Sequence, residues 1–140
     1  MNDRGIRADA APAPVGAYPH ARRVGNLLFL SGVGSRVPGT NEVPGNVYDG
    51  DGRLVASDLE AQCRQVFANV RAVLEASGAR FEDLVDVTVF LTDMERDFDT
   101  YNRLYAEYFE GIDACRTTLA ITALPTPIAI ELKCVAVLSD

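Results

Sequence analysis

One stretch constrains this chain more than any other. Leu59, Cys63, Val66, Val70 and Val73 recur at alternating steps of four and three, which places them on a single apolar stripe of an α-helix. Ser57-Asp58-Leu59-Glu60 precedes the stripe with capping-box spacing, the Ser57 hydroxyl set for an orphan amide and Glu60 reaching back. Gly78 supplies the C-terminal stop. A helix of this length with one apolar face must lie on something broad and flat, so the rest of the chain has to supply a sheet.

The strands can be read around it. Residues 27–33 are apolar and end at Ser31-Gly32, a composition suited to a strand buried on both faces. Val85, Val87, Val89 and Leu91 alternate with Asp86, Thr88 and Phe90, the period of a strand with two unlike faces. A second helix carries Phe98, Tyr101, Tyr105 and Tyr108 on one stripe and closes at Gly111. Residues 117–122 and 128–138 read as two further strands, joined through Pro125 and Pro127. The order is strand pair, helix, strand, helix, strand pair. It predicts an α+β layer, with two helices on one face of a mostly antiparallel sheet. The other face then needs cover, which points to an oligomer.

Two segments read as irregular. Between residues 34 and 53 lie Pro38, Gly39, Asn41, Pro44, Gly45, Asn46, Gly50 and Gly52, which predict a long loop of the functional or mobile kind. Residues 1–14 are Ala/Pro-rich and predict a loose arm ahead of a single domain over residues 15–140. With 140 residues and 48% hydrophobic content, one core is affordable and two are not.

Composition removes several functions. A net charge of −7 disfavours general binding to nucleic acid or anionic lipid, and no apolar run approaches the ~20 residues of a membrane span. Cys63, Cys115 and Cys134 are an odd set without close spacing or a secretory signal, which predicts reduced thiols in a cytoplasmic protein. A single histidine, His20, leaves no ligand set for a metal and makes a Ser-His-Asp triad improbable. The glycines lack the strand-loop-helix context of a nucleotide site, so no cofactor is expected. Any anionic substrate would need a local arginine to override the overall charge.

Ser31, Arg116, Thr117, Thr118 and Glu131 are polar residues set in apolar strand sequence. Arg116 has two readings, a planar fork for a carboxylate or a surface ion pair with a helix acid. Glu131 lies between Ile130 and Leu132 and faces away from their side of the strand. It suits orienting a water, or pairing with a charge on a neighbouring strand.

The chain resembles the reactive-intermediate deaminases, the RidA or YjgF family. The resemblance rests on Gly16-Ala17-Tyr18, Val24-Gly25-Asn26, Ser31-Gly32, Gln62 and Asn69, the run from Thr88 to Met94, Tyr101-Asn102, Arg116-Thr117, Leu124-Pro125 and Ile130-Glu131. It implies a chorismate-mutase-like α+β fold, a homotrimer whose sheets form a central barrel, and sites at subunit interfaces. It also implies an enamine or imine deaminase acting on a small carboxylate-bearing substrate without metal or cofactor. Arg116 would bind the substrate carboxylate and Glu131 position the attacking water, with Tyr18, Asn102 and the Ser31-Gly32 backbone lining the site. Where many members carry Cys or Ser, this chain has Thr118. That difference, with Tyr18-Pro19-His20 and the Ser35-Arg36 sequence, looks like the 2-aminomuconate deaminase branch. Arg36 would then anchor a second carboxylate, and His20 would donate a hydrogen bond, shuttle a proton or cap a turn. The alternatives are a broad 2-iminoacid hydrolase and a non-catalytic, ligand-binding or chaperone-like trimer. RNA cleavage fits poorly, because no basic groove is visible in the sequence.

Overall fold

The computed structural model of the chain describes residues 4–139. The striped segment is helix α1 (Leu59–Ala76), and all five stripe residues are buried, joined by Phe67 and Leu74. Its N-cap is Asp58 and not Ser57. The Asp58 backbone is extended, and its carboxylate accepts the Ala61 amide at 3.1 Å, adding negative charge at the positive end of the helix dipole.

The strands run β1 (Gly5–Ile6), β2 (Ala21–Val24), β3 (Leu27–Leu30), β4 (Val33–Gly34), β5 (Val47–Tyr48), β6 (Leu54–Ala56), β7 (Leu84–Leu91), β8 (Cys115–Ala120) and β9 (Ile130–Val137). A seven-stranded sheet has the order β1-β2-β3-β9-β7-β8, with β4 also alongside β9. All its pairs are antiparallel except β7 with β8. Helix α2 (Met94–Phe109) makes the crossover that a parallel pair requires. Residues 117–122 and 128–138 therefore contain strands that are not neighbours, because β7 is inserted between them.

Both helices pack on one face. Tyr101 is fully buried there, Tyr105 stacks on Phe109 with ring centroids 4.0 Å apart, and Tyr108 meets Phe67 at 4.5 Å. The opposite face stays open in the single chain. Phe29 is 39% exposed and Leu119 43%, and Val24 and Leu27 are exposed beside them. Residues 27–33 are thus buried on one face, with Leu28 and Leu30 inside and Leu27 and Phe29 out.

Three further expectations need correcting. The register slips between Leu84 and Asp86, so Leu84 is buried and Val85 exposed. Such a bulge turns one residue out of the alternation. The segment 34–53 is not wholly irregular, since Val47-Tyr48 is paired with β6 in a separate hairpin. The N-terminal arm is also partly structured: Gly5 and Ile6 pair with β2, and Ala8 and Ala11 are in the core. Residues 1–3 of that arm lie outside the described residues.

Candidate active site

Strands β3 and β4 both follow β9 but are separated by Ser31-Gly32, where the chain steps away from the sheet. Ser31 fixes the step. Its hydroxyl donates to the Pro19 carbonyl at 2.7 Å and its amide to the His20 carbonyl at 3.0 Å. Glu131 projects from β9 at this point, across from Gly34. A Cβ on Gly32 would lie 2.9 Å from both Cδ and Oε2 of Glu131, so glycine is what allows the carboxylate to pack against the backbone. Burial pushes the Glu131 carboxyl above the ordinary carboxylate range, which increases its capacity to hold a proton.

Tyr18, His20, Ser31, Gly32, Arg36 and Glu131 line one cavity of about 180 Å3. Residues 11–15 roof it, and Val33, Val73 and Ile128 supply apolar walls. That volume lies below the ~300–1,000 Å3 of sites for drug-sized ligands and suits a small metabolite. Arg36 donates to the Ala13 carbonyl at 2.6 Å. His20 accepts the Ala8 amide at Nδ1 (3.0 Å), which leaves the proton on Nε2 to be donated to the Pro12 carbonyl (2.8 Å). Both ring nitrogens are thus engaged with backbone, and neither is free to reach a substrate.

Two residues of α1, present in the sequence motif but given no role there, hold the cavity wall. Asn69 Nδ2 donates to the carbonyls of Gly34 and Arg36, each at 2.9 Å. Gln62 Oε1 accepts the Ser35 hydroxyl at 2.9 Å and the Ala129 amide at 2.8 Å. Their signal was visible as two polar residues close to the apolar stripe, where a buried amide needs partners.

Arg116, Asn102 and Thr118 form a different group. Register pairs Arg116 with Val87 and Val87 with Cys134, and both of these partners are buried against the helices. Glu131 instead pairs with Phe90, and Phe90 with Leu119, on the open face. The arginine and the glutamate therefore point to opposite faces of the same sheet. The Arg116 guanidinium lies 4.8 Å from the Tyr105 ring centroid and 5.4 Å from that of Tyr101, and it donates to Asn102 Oδ1 at 2.9 Å. Stacking of this kind fixes the plane of the fork. Thr118 Oγ1 and the Tyr101 and Tyr105 hydroxyls are buried and have no hydrogen-bond partner among the described residues. Burial pushes both phenols up, so they remain neutral.

Other chemistries are poorly supplied. The Cys63 and Cys134 thiols are pushed up to about 12 by burial, which leaves them protonated and weakly nucleophilic. Among the described residues no group of three or more His, Cys, Asp or Glu side chains gathers to hold a metal, and no helix is long and apolar enough to cross a membrane.

The family model described as Endoribonuclease L-PSP matches residues 8–138. The Arabidopsis thaliana protein named Reactive Intermediate Deaminase A, chloroplastic, is 37% identical over 133 residues, covering 95% of this chain and 65% of that longer protein. The crystal structure of the Escherichia coli YjgF gene product is 34% identical with a TM-score of 0.80, covering 96% of this chain and 98% of that one. The chain belongs to the RidA/YjgF family. Its sheet and two helices are the YjgF fold, so the fold expected from the sequence is the one observed. Among solved RidA/YjgF relatives, E. coli TdcF with bound serine is 29% identical with a TM-score of 0.81, covering 97% of this chain and 99% of that one.

Proposed function

We propose that this RidA/YjgF protein is a cofactor-independent deaminase that hydrolyses the carbon–nitrogen bond of small enamines or imines carrying a carboxylate. The observation that carries the reading is Glu131, a desolvated carboxylate set against Gly32 in a small cavity that also presents Arg36. The name of the Arabidopsis relative supports the same chemistry.

The steps balance without a metal. The enamine takes a proton on carbon, its nitrogen gives one up, and it becomes an imine. Glu131 accepts a proton from water as the water oxygen bonds to the imine carbon, and the proton passes to nitrogen. The hydroxyl of this carbinolamine then gives up its proton and nitrogen gains one as the carbon–nitrogen bond breaks, releasing ammonia and leaving a 2-oxo acid. Such substrates are reactive enough for positioning and a preorganised charge to suffice.

Arg116 serves as the carboxylate clamp in this scheme, with Asn102 holding one of its nitrogens. Because it faces away from Glu131 within one chain, the two meet only when copies associate, which favours a homotrimer with shared sites. Thr118, on the Arg116 face of β8, shapes that part of the site. Tyr18 and the Ser31-Gly32 backbone line the substrate cavity.

Arg36 extends the reading to a dicarboxylate such as 2-aminomuconate. One terminal nitrogen is committed to Ala13, and a guanidinium has further N–H groups for a distal carboxylate. Ammonia release from 2-aminomuconate and from a monocarboxylic 2-iminoacid tests both levels. Arg36→Ala is expected to lower kcat/KM on the dicarboxylate by ten- to a thousand-fold, as an order of magnitude, and barely to affect the other. Equal losses would reject Arg36 as the specificity anchor. Ammonia release from neither substrate by the unmodified protein would reject the deaminase, and RNA cleavage in its place would favour the activity in the family description.

A further inference from the structure

We propose that His20 is a positioning residue that latches residues 8–13 over the substrate cavity, and that only its neutral form holds the latch at both Ala8 and Pro12. The role rests on the deaminase reading for what the cavity binds, but the latch itself stands on geometry. His20 begins the turn into β2, and its amide donates to the Ile6 carbonyl at 3.0 Å, so the ring projects from a fixed backbone. From there it grips the roof segment twice, accepting the Ala8 amide at Nδ1 and donating from Nε2 to the Pro12 carbonyl. Arg36 adds a third grip one residue further on, at Ala13.

Beyond these contacts the roof is held by the Val15 amide donating to the Tyr18 hydroxyl at 3.2 Å and by the burial of Ala8 and Ala11. Pro12 and Pro14 have no amide to donate, and within residues 10–15 the backbone-to-backbone bond is Ala11 N–H to the Ala8 carbonyl, 3.2 Å. The segment is buried only at Ala8 and Ala11. Its placement over Glu131 and Arg36 therefore depends on side chains reaching up from the cavity wall.

The chemistry of the ring makes the latch conditional. An imidazole can accept at one nitrogen and donate at the other only while neutral, and the imidazolium donates at both. Protonation would set an Nδ1–H against the Ala8 N–H, breaking that bond while keeping the one to Pro12. The other titratable or charged groups lining this cavity are Tyr18, Arg36 and Glu131, and Arg7 is bonded to the Tyr18 carbonyl beside it. Glu131 also gains its proton as pH falls, so the test must read His20 separately.

The Ala8 amide gives that separate reading. Its hydrogen-exchange protection in the unmodified full chain should be lower at pH 5 than at pH 8, after correction for intrinsic exchange. In His20→Gln, whose amide can accept and donate without titrating, protection should stay constant. Binding of 2-oxobutanoate, a product-type acid ionised throughout that range, supplies the functional readout by calorimetry. His20→Ala should weaken it on the order of five- to tenfold at pH 8, the loss expected for one or two hydrogen bonds. His20→Gln should restore it and show less loss of affinity at low pH than the unmodified chain.

Constant Ala8 protection in the unmodified chain, or a pH loss that persists in His20→Gln, overturns the proposal. So does full affinity in His20→Ala, or a defect in His20→Gln as large as in His20→Ala. If the unmodified protein neither binds 2-oxobutanoate nor releases ammonia from either substrate, the deaminase reading fails, and the Ala8 exchange still decides the latch.

Discussion

Gly32 and Glu131 are in contact so close that each fixes what the other can be. A methyl group at Gly32 meets the carboxyl carbon and one oxygen of Glu131 at 2.9 Å, and the mobile partner is the end of the glutamate side chain. Gly32→Ala should fold and yet lose activity by about a hundredfold, the scale on which small misplacements of a catalytic group are felt. Steady-state ammonia release beside a thermal melt checks both halves. Glu131→Gln separates chemistry from stability in the opposite direction. Burial raises the folded-state pKa of Glu131 above its unfolded value, so stability is fully present below the ordinary carboxylate range, ~4.3, and is lost as pH rises through the folded value. Glutamine has no charge to desolvate. The variant should be inactive but melt no lower than the unmodified chain at pH 8, with the difference narrowing toward pH 4; a clearly lower melt at pH 8 would contradict this. At this scale the sequence singled out Glu131 by its alternation with Ile130 and Leu132, and Arg116 as a charge set in apolar strand sequence. It could not show that His20 spends both nitrogens on backbone, because the partners at Ala8 and Pro12 come from a segment whose composition suggested no structure.

Elements were legible where periodicity is strong. Both helices stand where the stripes put them, because each stripe had a single face to bury. Pairing was less so, since β8 and β9 are consecutive strands that share a neighbour instead of each other, and nothing local encodes the insertion of β7. The capping assignment shows how fine the limit is. Ser57 and Asp58 are both good N-caps, and only the backbone turn at Asp58 decides between them. Asp58→Ala should cost about 1 kcal/mol, whereas Ser57→Ala should stay within about 0.5 kcal/mol. Paired thermal melts distinguish the two, and equal effects would put the cap elsewhere. The hairpin of β5 and β6 escaped notice because its strands have only two and three residues, too few for a period.

For the whole molecule, the open sheet face and the opposed directions of Arg116 and Glu131 lead to the same expectation. If one site takes its glutamate from one copy and its arginine from the next, two inactive variants can repair each other. Arg116→Lys alone should lose at least tenfold, since an ammonium cannot reproduce two parallel bonds to a carboxylate. Glu131→Gln alone should be inactive. Subunits of the two, unfolded and refolded together, should regain part of the original rate, because some interfaces then pair an intact arginine with an intact glutamate. No recovery in mixed trimers verified by light scattering would place both groups of a site in one chain. The spare apolar face, on which the proposed oligomer rests, was legible in the sequence. Which residues such an oligomer would bring together was not, because a period-two pattern assigns faces within one chain and says nothing of its neighbours.

The position of β9 matters during synthesis. It follows in sequence every strand it pairs with, yet it lies in the middle of the sheet, bonded to β3 and β4 on one side and β7 on the other. A ribosome that has made everything up to Pro127 has produced two sets of strands with no common partner and an amphipathic helix with no complete surface to cover. The chain must therefore wait, with much of its apolar sequence unburied, until residues 130–137 emerge, and only then close around them in one late step.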